Sequence, residues 1–291
     1  MRSPLTVEVV RGAVVEARQR VHAVAVSGGR IVEAAGDADR LSFFRSSAKP
    51  IQALPVIRAR ADLDDAEIAI ACASHLARPE QLDAVRSLLA KAPATEDDLE
   101  CGPEPTRLEH NCSGKHAAML ALCRSRGWPT EGYRLATHRC QQEMLAEVSA
   151  AAGVEPQRIP TAVDGCGVVT FALTLERMAH AFSRLGEIDG GGQVITAMGA
   201  FPDLIRGSGA PDTLLMQTQP GWVAKGGAEG LFCGASPSGL GLALKVEDGS
   251  ARPLRTALAA FLGRLGIEAG GLGNVLVENS RGEVVGELRA V

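Results

Sequence analysis

Apolar, β-branched runs open and close this chain, and nearly everything between them reads as helix. Val7–Val10, Val21–Val26 and Arg30–Ala35 read as strands near the start, and Gly28-Gly29 between the last two predicts a hairpin turn. Trp222–Lys225, Gly230–Cys233, Leu240–Val246 and Glu283–Leu288 read as strands near the end. Between the two sets, apolar spacing predicts helices over 47–59, 64–73, 79–91, 114–126, 138–152 and 171–185, with one more over 251–265. Asp64 and Arg78-Pro79-Glu80 are start signals, and Gly127 and Gly153 are stop signals. Strands from both termini can bury one face only by pairing with each other. The chain is therefore expected to be α+β, a mostly antiparallel sheet built from N- and C-terminal strands and packed with a helical layer. A Rossmann-type βαβ alternation is absent, so Gly190–Gly192 reads as a flexible loop and not as a phosphate cradle.

With 291 residues, the chain can bury a large core in one domain or in two closely packed lobes. The net charge of -4, with both signs interspersed, gives no electrostatic footprint for nucleic acid. Aromatic residues make up 3 %, with one tyrosine, which argues against base stacking as a binding mode. Met1-Arg2-Ser3-Pro4-Leu5 has no apolar signal region, and no apolar run reaches the ~18 residues that span a bilayer. A cytoplasmic protein with no membrane partner is expected. Seven cysteines, an odd number in a chain of this size, are expected to be free thiols.

Three elements carry chemistry. In Arg45-Ser46-Ser47-Ala48-Lys49-Pro50 a helical start would bring Ser46 and Lys49 onto one face. A desolvated lysine can take a serine proton without histidine, and Pro50 suits a first helical turn. A capped surface helix would explain the same residues. Ser74, in Cys72-Ala73-Ser74-His75, stands at the end of an expected helix, where a polar terminus with a solvated His75 is the simpler reading. Lys225-Gly226-Gly227 ends an apolar strand, and its glycines would let backbone amides approach an anion. Taken in order, Ser-x-x-Lys, a middle serine and Lys-x-Gly match the arrangement of the active-site serine hydrolases and transpeptidases.

A fourth element is His110-Asn111-Cys112-Ser113-Gly114-Lys115-His116, with Asp164-Gly165-Cys166-Gly167 further on. A helix starting at Ser113 would bring Cys112 and Lys115 together. Thiolates suit Zn²⁺, but lysine ligates only as the neutral amine, and the chain holds no CxxC or HExxH. Spacing alone favours two buried thiols.

These segments together resemble the L-asparaginase II family, the Rhizobium-etli-type (class 3) asparaginases. The resemblance runs from about Val7 to the strand near Val246, and His-Asn-Cys-Ser-Gly-Lys-His is its most specific piece. It implies a fold similar to serine β-lactamases and Ser-Lys glutaminases, one asparaginase-like domain over 1–291, and a homodimer. It also implies a Ser46–Lys49 tandem and a second tandem of Ser74 with Lys225, Lys245 being the less favoured lysine. Cys112, Lys115 and Cys166 would be zinc ligands, which reverses the reading from spacing. Arg45, His110, Asn111, Asp164 and the backbone at Gly226 would contact substrate.

The expected reaction is hydrolysis of L-asparagine to L-aspartate and ammonia through an acyl-enzyme on Ser46. A glutaminase, a penicillin-recognising acyl hydrolase and a non-catalytic zinc protein are the alternatives. The last is disfavoured because both tandems are intact.

Overall fold

The computed structural model describes residues 2–273 and 275–291. The chain opens with strands β1 (Leu5–Arg11), β2 (Val14–Ser27), β3 (Arg30–Ala35) and β4 (Leu41–Phe43). A 3-10 turn at Arg45–Ala48 leads into helices α1 (Lys49–Gln52), α2 (Leu54–Ala59), α3 (Asp65–Ala71), α4 (Pro79–Lys91), α5 (Ser113–Arg126) and α6 (Arg139–Ala152). Two strands follow, β5 (Thr161–Val163) and β6 (Val169–Thr174), and then helices α7 (Leu175–Ser183), α8 (Gly191–Ala200), α9 (Pro202–Ile205) and α10 (Pro211–Thr218). The last part holds β7 (Val223–Gly227), β8 (Leu231–Ala235), β9 (Gly241–Val246), α11 (Leu254–Arg264), β10 (Val275–Glu278) and β11 (Val284–Ala290).

Both termini build one antiparallel sheet in the order β10-β11-β1-β2-β9-β8-β7, with β3 also paired to β2. This is the α+β architecture expected. The register Val21↔Val246 to Val26↔Gly241 welds the N-terminal half to the C-terminal half. Gly28 and Gly29 turn the β2–β3 hairpin at φ +55° and +73°, as a two-residue turn of the primed type requires. Helix α7 packs on the sheet at β2, β8 and β9, while α2, α3, α4 and α5 pack among themselves beside it. One continuous apolar core links the sheet and the helices.

Several elements differ from expectation. The span 47–59 breaks into a 3-10 turn and two short helices, because Pro50 and Pro55 bring no backbone donor. The span 171–185 begins as strand β6, which pairs with β4 and β5, and Thr174 then caps α7 by accepting from the Arg177 amide at 3.2 Å. Gly190–Gly192 is no loop: Gly190, at φ +87°, caps α8. Strand β2 starts seven residues before Val21; its polar, largely exposed first half pairs with β1 and so lacks an apolar signature.

Candidate active site

Five segments meet at one cleft of about 300 Å³. Its walls include Ser46 from the 3-10 turn, Ser74 from the stretch after α3, Asn111 from the turn before α5, Arg206 and Asp212 around α9 and α10, and Lys225 with Gly226 from β7. The 3-10 turn lies against β7, where Ser47 Oγ donates to Lys225 O at 2.9 Å. Arg45 stands at φ +47°, outside the comfortable region for a side-chain-bearing residue. Such strain persists when packing over-determines it, and it falls here immediately before Ser46.

Ser74 is held rigidly. Its amide donates to Ile205 O at 2.8 Å, and its carbonyl accepts from Arg206 Nη1 at 2.9 Å. Its neighbour His75 is buried, not solvated: Ala77 N donates to Nδ1 at 3.1 Å, so Nε2 carries the proton toward Ser113 Oγ at 2.8 Å. Burial above all, with the cationic neighbours, lowers its pKa to about 4. This histidine is a neutral strut between the Ser74 stretch and the start of α5.

Lys49 is wholly buried, and its amine donates to Ala73 O and, at 3.0 Å, to Ser74 Oγ. The lysine of the first sequence motif thus bonds the serine of the second. Burial, aided by the charge of Lys115, lowers its pKa against the pull of the nearby thiols. Lys225 is also buried; Nζ donates to Gly226 O at 2.7 Å and lies 3.7 Å from Asp212 Oδ2. Desolvation outweighs that carboxylate and brings its pKa to about 8. Lys245 instead donates to Glu229 O and Val246 O at 2.6 and 2.7 Å and does not line the cleft.

The expected substrate contacts divide. Asn111 faces the cleft, with its carbonyl accepting from His75 N at 3.2 Å. His110 is buried behind it, its Nδ1 accepting from Cys112 N at 3.0 Å. Arg45 and Asp164 bond each other at 2.8 Å and do not line the cleft; they brace the Asp164–Gly167 turn against the 3-10 turn. Gly226 lines the cleft, but its N–H donates to Asp212 Oδ2 at 3.0 Å, so it is not free to hold an oxyanion. Gly227, the second glycine of the pair, also lines the cleft.

Beside the serines, Cys112, Lys115 and Cys166 come together. Gly114 lets the start of α5 lie close against α3, because a Cβ there would lie 2.2 Å from Ile70 O. Lys115 Nζ is 3.1 Å from Cys166 Sγ. A hydrogen bond from Cys166, with help from Lys49 and Lys115, overcomes burial and holds the Cys112 thiol well below its usual pKa; the same bond pushes Cys166 up. Burial works against the Lys115 charge, but the two sulfurs and Asp164 outweigh it and raise its pKa. A thiolate, a thiol and an amine converging in a buried pocket fit a soft divalent ion, provided Lys115 gives up its proton. No cluster of three or more His, Cys, Asp or Glu side chains suited to a metal occurs among the described residues. Lysine would have to be the third donor.

Arg206, Asp212 and Gln81 carried no signal in the sequence. Buried Gln81 donates to the carbonyls of Asp203, Leu204 and Arg206 at 3.0–3.3 Å and accepts from Leu76 and Arg78, pinning the Arg206 loop to the Ser74 stretch. All three are recruited by contacts from distant segments.

Three solved structures are similar in fold. Mglu in its native form aligns at TM-score 0.51 with 14 % identity, covering 86 % of this chain and 66 % of that one. Mglu in its native form with 4.3 M NaCl aligns at 0.51 with 16 % identity, covering 90 % and 66 %. A third Mglu structure aligns at 0.50 with 14 % identity, covering 87 % and 68 %. The chain spans about two thirds of the length of these structures. No curated protein sequence matches it. No helix among the described residues is long and apolar enough to cross a membrane. The sequence profile of L-asparaginase II matches residues 7–290, and the chain accordingly belongs to the L-asparaginase II family.

Proposed function

We propose that the protein is an amidohydrolase that converts L-asparagine to L-aspartate and ammonia through an ester on Ser46. The observation that carries this is a cleft lined by two serines and backed by two buried lysines with lowered pKa values. Ser46 Oγ attacks the side-chain amide carbon and its proton passes to neutral Lys49. The Lys49–Ser74 bond gives a path for that proton to the departing nitrogen. Protonated Lys225 stands across the cleft as the second proton source. Ammonia leaves, water enters, and the reverse transfers release aspartate and free Ser46. The amide of Gly227 would hold the developing oxyanion, a contribution worth ~10²–10³ in rate. Release of ammonia from L-asparagine, measured beside L-glutamine with zinc supplied, tests the reading; no release from either amide would end it. The cytoplasmic setting, a single domain and a homodimer belong to the same proposal.

Cys112, Lys115 and Cys166 are the proposed Zn²⁺ ligands. Bound there, the ion would hold both thiols and the Lys115 amine in their deprotonated forms beside the two tandems. Cys112→Ser or Cys166→Ser should lower the zinc bound per chain by elemental analysis, and unchanged content would place the metal elsewhere.

The sign of the pH response follows from Lys225. If its protonated form is the acid, activity must fall as pH rises through about 8. Asp212 raises that pKa, so Asp212→Asn, which keeps an acceptor for the Gly226 amide, should move the falling limb to lower pH. A limb that stays in place would remove Lys225 from this role.

A further inference from the structure

The charged end of an α-amino acid needs a cation and an anion, and the Arg45–Asp164 pair is spent on itself. Within the cleft, Lys225 and Asp212 also face each other. Two charged side chains remain on its wall, Arg206 and Glu229. The guanidinium of half-buried Arg206 makes one hydrogen bond, from Nη1 to Ser74 O, and forms no ion pair among the described residues. Its other donors are open to a ligand that sits beside Ser74. The Glu229 carboxylate likewise has no hydrogen bond or ion pair among the described residues.

Glu229 is not an ordinary surface acid. Its backbone stands at φ +60°, a conformation unfavourable for a residue with a side chain. Two contacts hold it there. Lys245 Nζ donates to its carbonyl, and Gly249 leaves room for its carboxylate, since a Cβ on Gly249 would lie 2.6 Å from Oε2. The turn after β7 is thus built to present this acid at the cleft.

We infer that Arg206 and Glu229 form a clamp for the charged end of an α-amino acid, Arg206 taking the carboxylate and Glu229 the ammonium. The assignment rests on the amidase reading for which end of the molecule reacts. A guanidinium suits a planar carboxylate through paired N–H donors. Arg206 also grips the Ser74 stretch, so docking the carboxylate fixes the substrate relative to the serines.

The test is calorimetric binding to Ser46→Ala protein, which cannot turn substrate over. Three ligands are compared: L-asparagine, succinamate (no ammonium) and 3-aminopropanamide (no carboxylate). L-Asparagine should bind at least about 10-fold tighter than either, the size expected for one charge-assisted contact. Adding Arg206→Gln should bring L-asparagine down to the level of 3-aminopropanamide without changing the latter. Adding Glu229→Gln should bring it down to the level of succinamate. Equal weakening of all three ligands by Arg206→Gln would reduce Arg206 to a brace for Ser74 and overturn the clamp. Glu229 is exposed, so its variant threatens the fold least. If Glu229→Gln protein keeps the parental preference over succinamate, the clamp fails whatever Arg206→Gln does. Failure of all three ligands to bind overturns it as well. Protein that shows the predicted binding pattern but, with Ser46 restored, releases no ammonia retires the amidase reading and leaves the clamp standing.

Discussion

Ser46→Ala should lower kcat on L-asparagine by on the order of 10³-fold or more, the scale seen when a nucleophile is removed from a serine hydrolase. Ser46 lines the cleft, and the strained Arg45 and the Ser47–Lys225 bond fix the turn that carries it. Replacing Oγ–H by hydrogen leaves those supports in place, so the protein should fold and still bind substrate. The check is a single-turnover assay with intact-mass analysis. The parent should show an acyl adduct on a slow substrate, and the variant should show none. Residual turnover above a tenth of the parent would pass the nucleophile's role to Ser74, which is already bonded to Lys49.

Lys49→Met is expected to have the second largest effect, a loss of about 10²–10⁴ in kcat, the usual weight of a general base. Methionine is unbranched like lysine and fills the buried volume without a charge to desolvate. Stability should therefore change little, the melting temperature staying within about 5 °C of the parent. Activity falls because Ser46 loses its proton acceptor and Ser74 its partner at 3.0 Å. The acid limb of the pH profile should vanish with it, since burial holds the Lys49 pKa down and its protonation shuts the enzyme off at low pH. A variant that keeps that limb would show that another group is the base.

Both predictions start from residues that the order Ser-x-x-Lys, Ser and Lys-x-Gly already singled out, yet the pairing within the site was not legible. A lysine side chain is long, and its direction depends on what surrounds it. Helical spacing paired Ser46 with Lys49, and the family resemblance paired Ser74 with Lys225; neither pointed to the bond from Lys49 to Ser74. Once Lys49 is buried, its amine needs acceptors, and Ala73 O and Ser74 Oγ from the end of α3 supply them. Lys225 similarly turns to Gly226 O and Asp212.

Arg45 and Asp164 show the same limit from the other side. Each carries a charge beside a motif, and each spends it on the other, 119 residues apart in sequence. His75 read as solvated because a polar helix end usually is; the start of α5 covers it instead. Gly226 was chosen for its freedom to approach a ligand, but Asp212 takes its amide first.

The sequence by itself determined the sheet built from both termini, the helices expected over 79–91, 114–126 and 138–152, and the serines and lysines around which the site forms. Those features depend on local periodicity, caps and short motifs, which act over a few residues. Tertiary structure alone decided that Lys49 bonds Ser74, that Arg206, Asp212 and Glu229 join the cleft, and that Cys166 reaches Lys115. These are contacts between segments tens to more than a hundred residues apart, fixed by how buried polar groups find partners, and no local pattern encodes that choice.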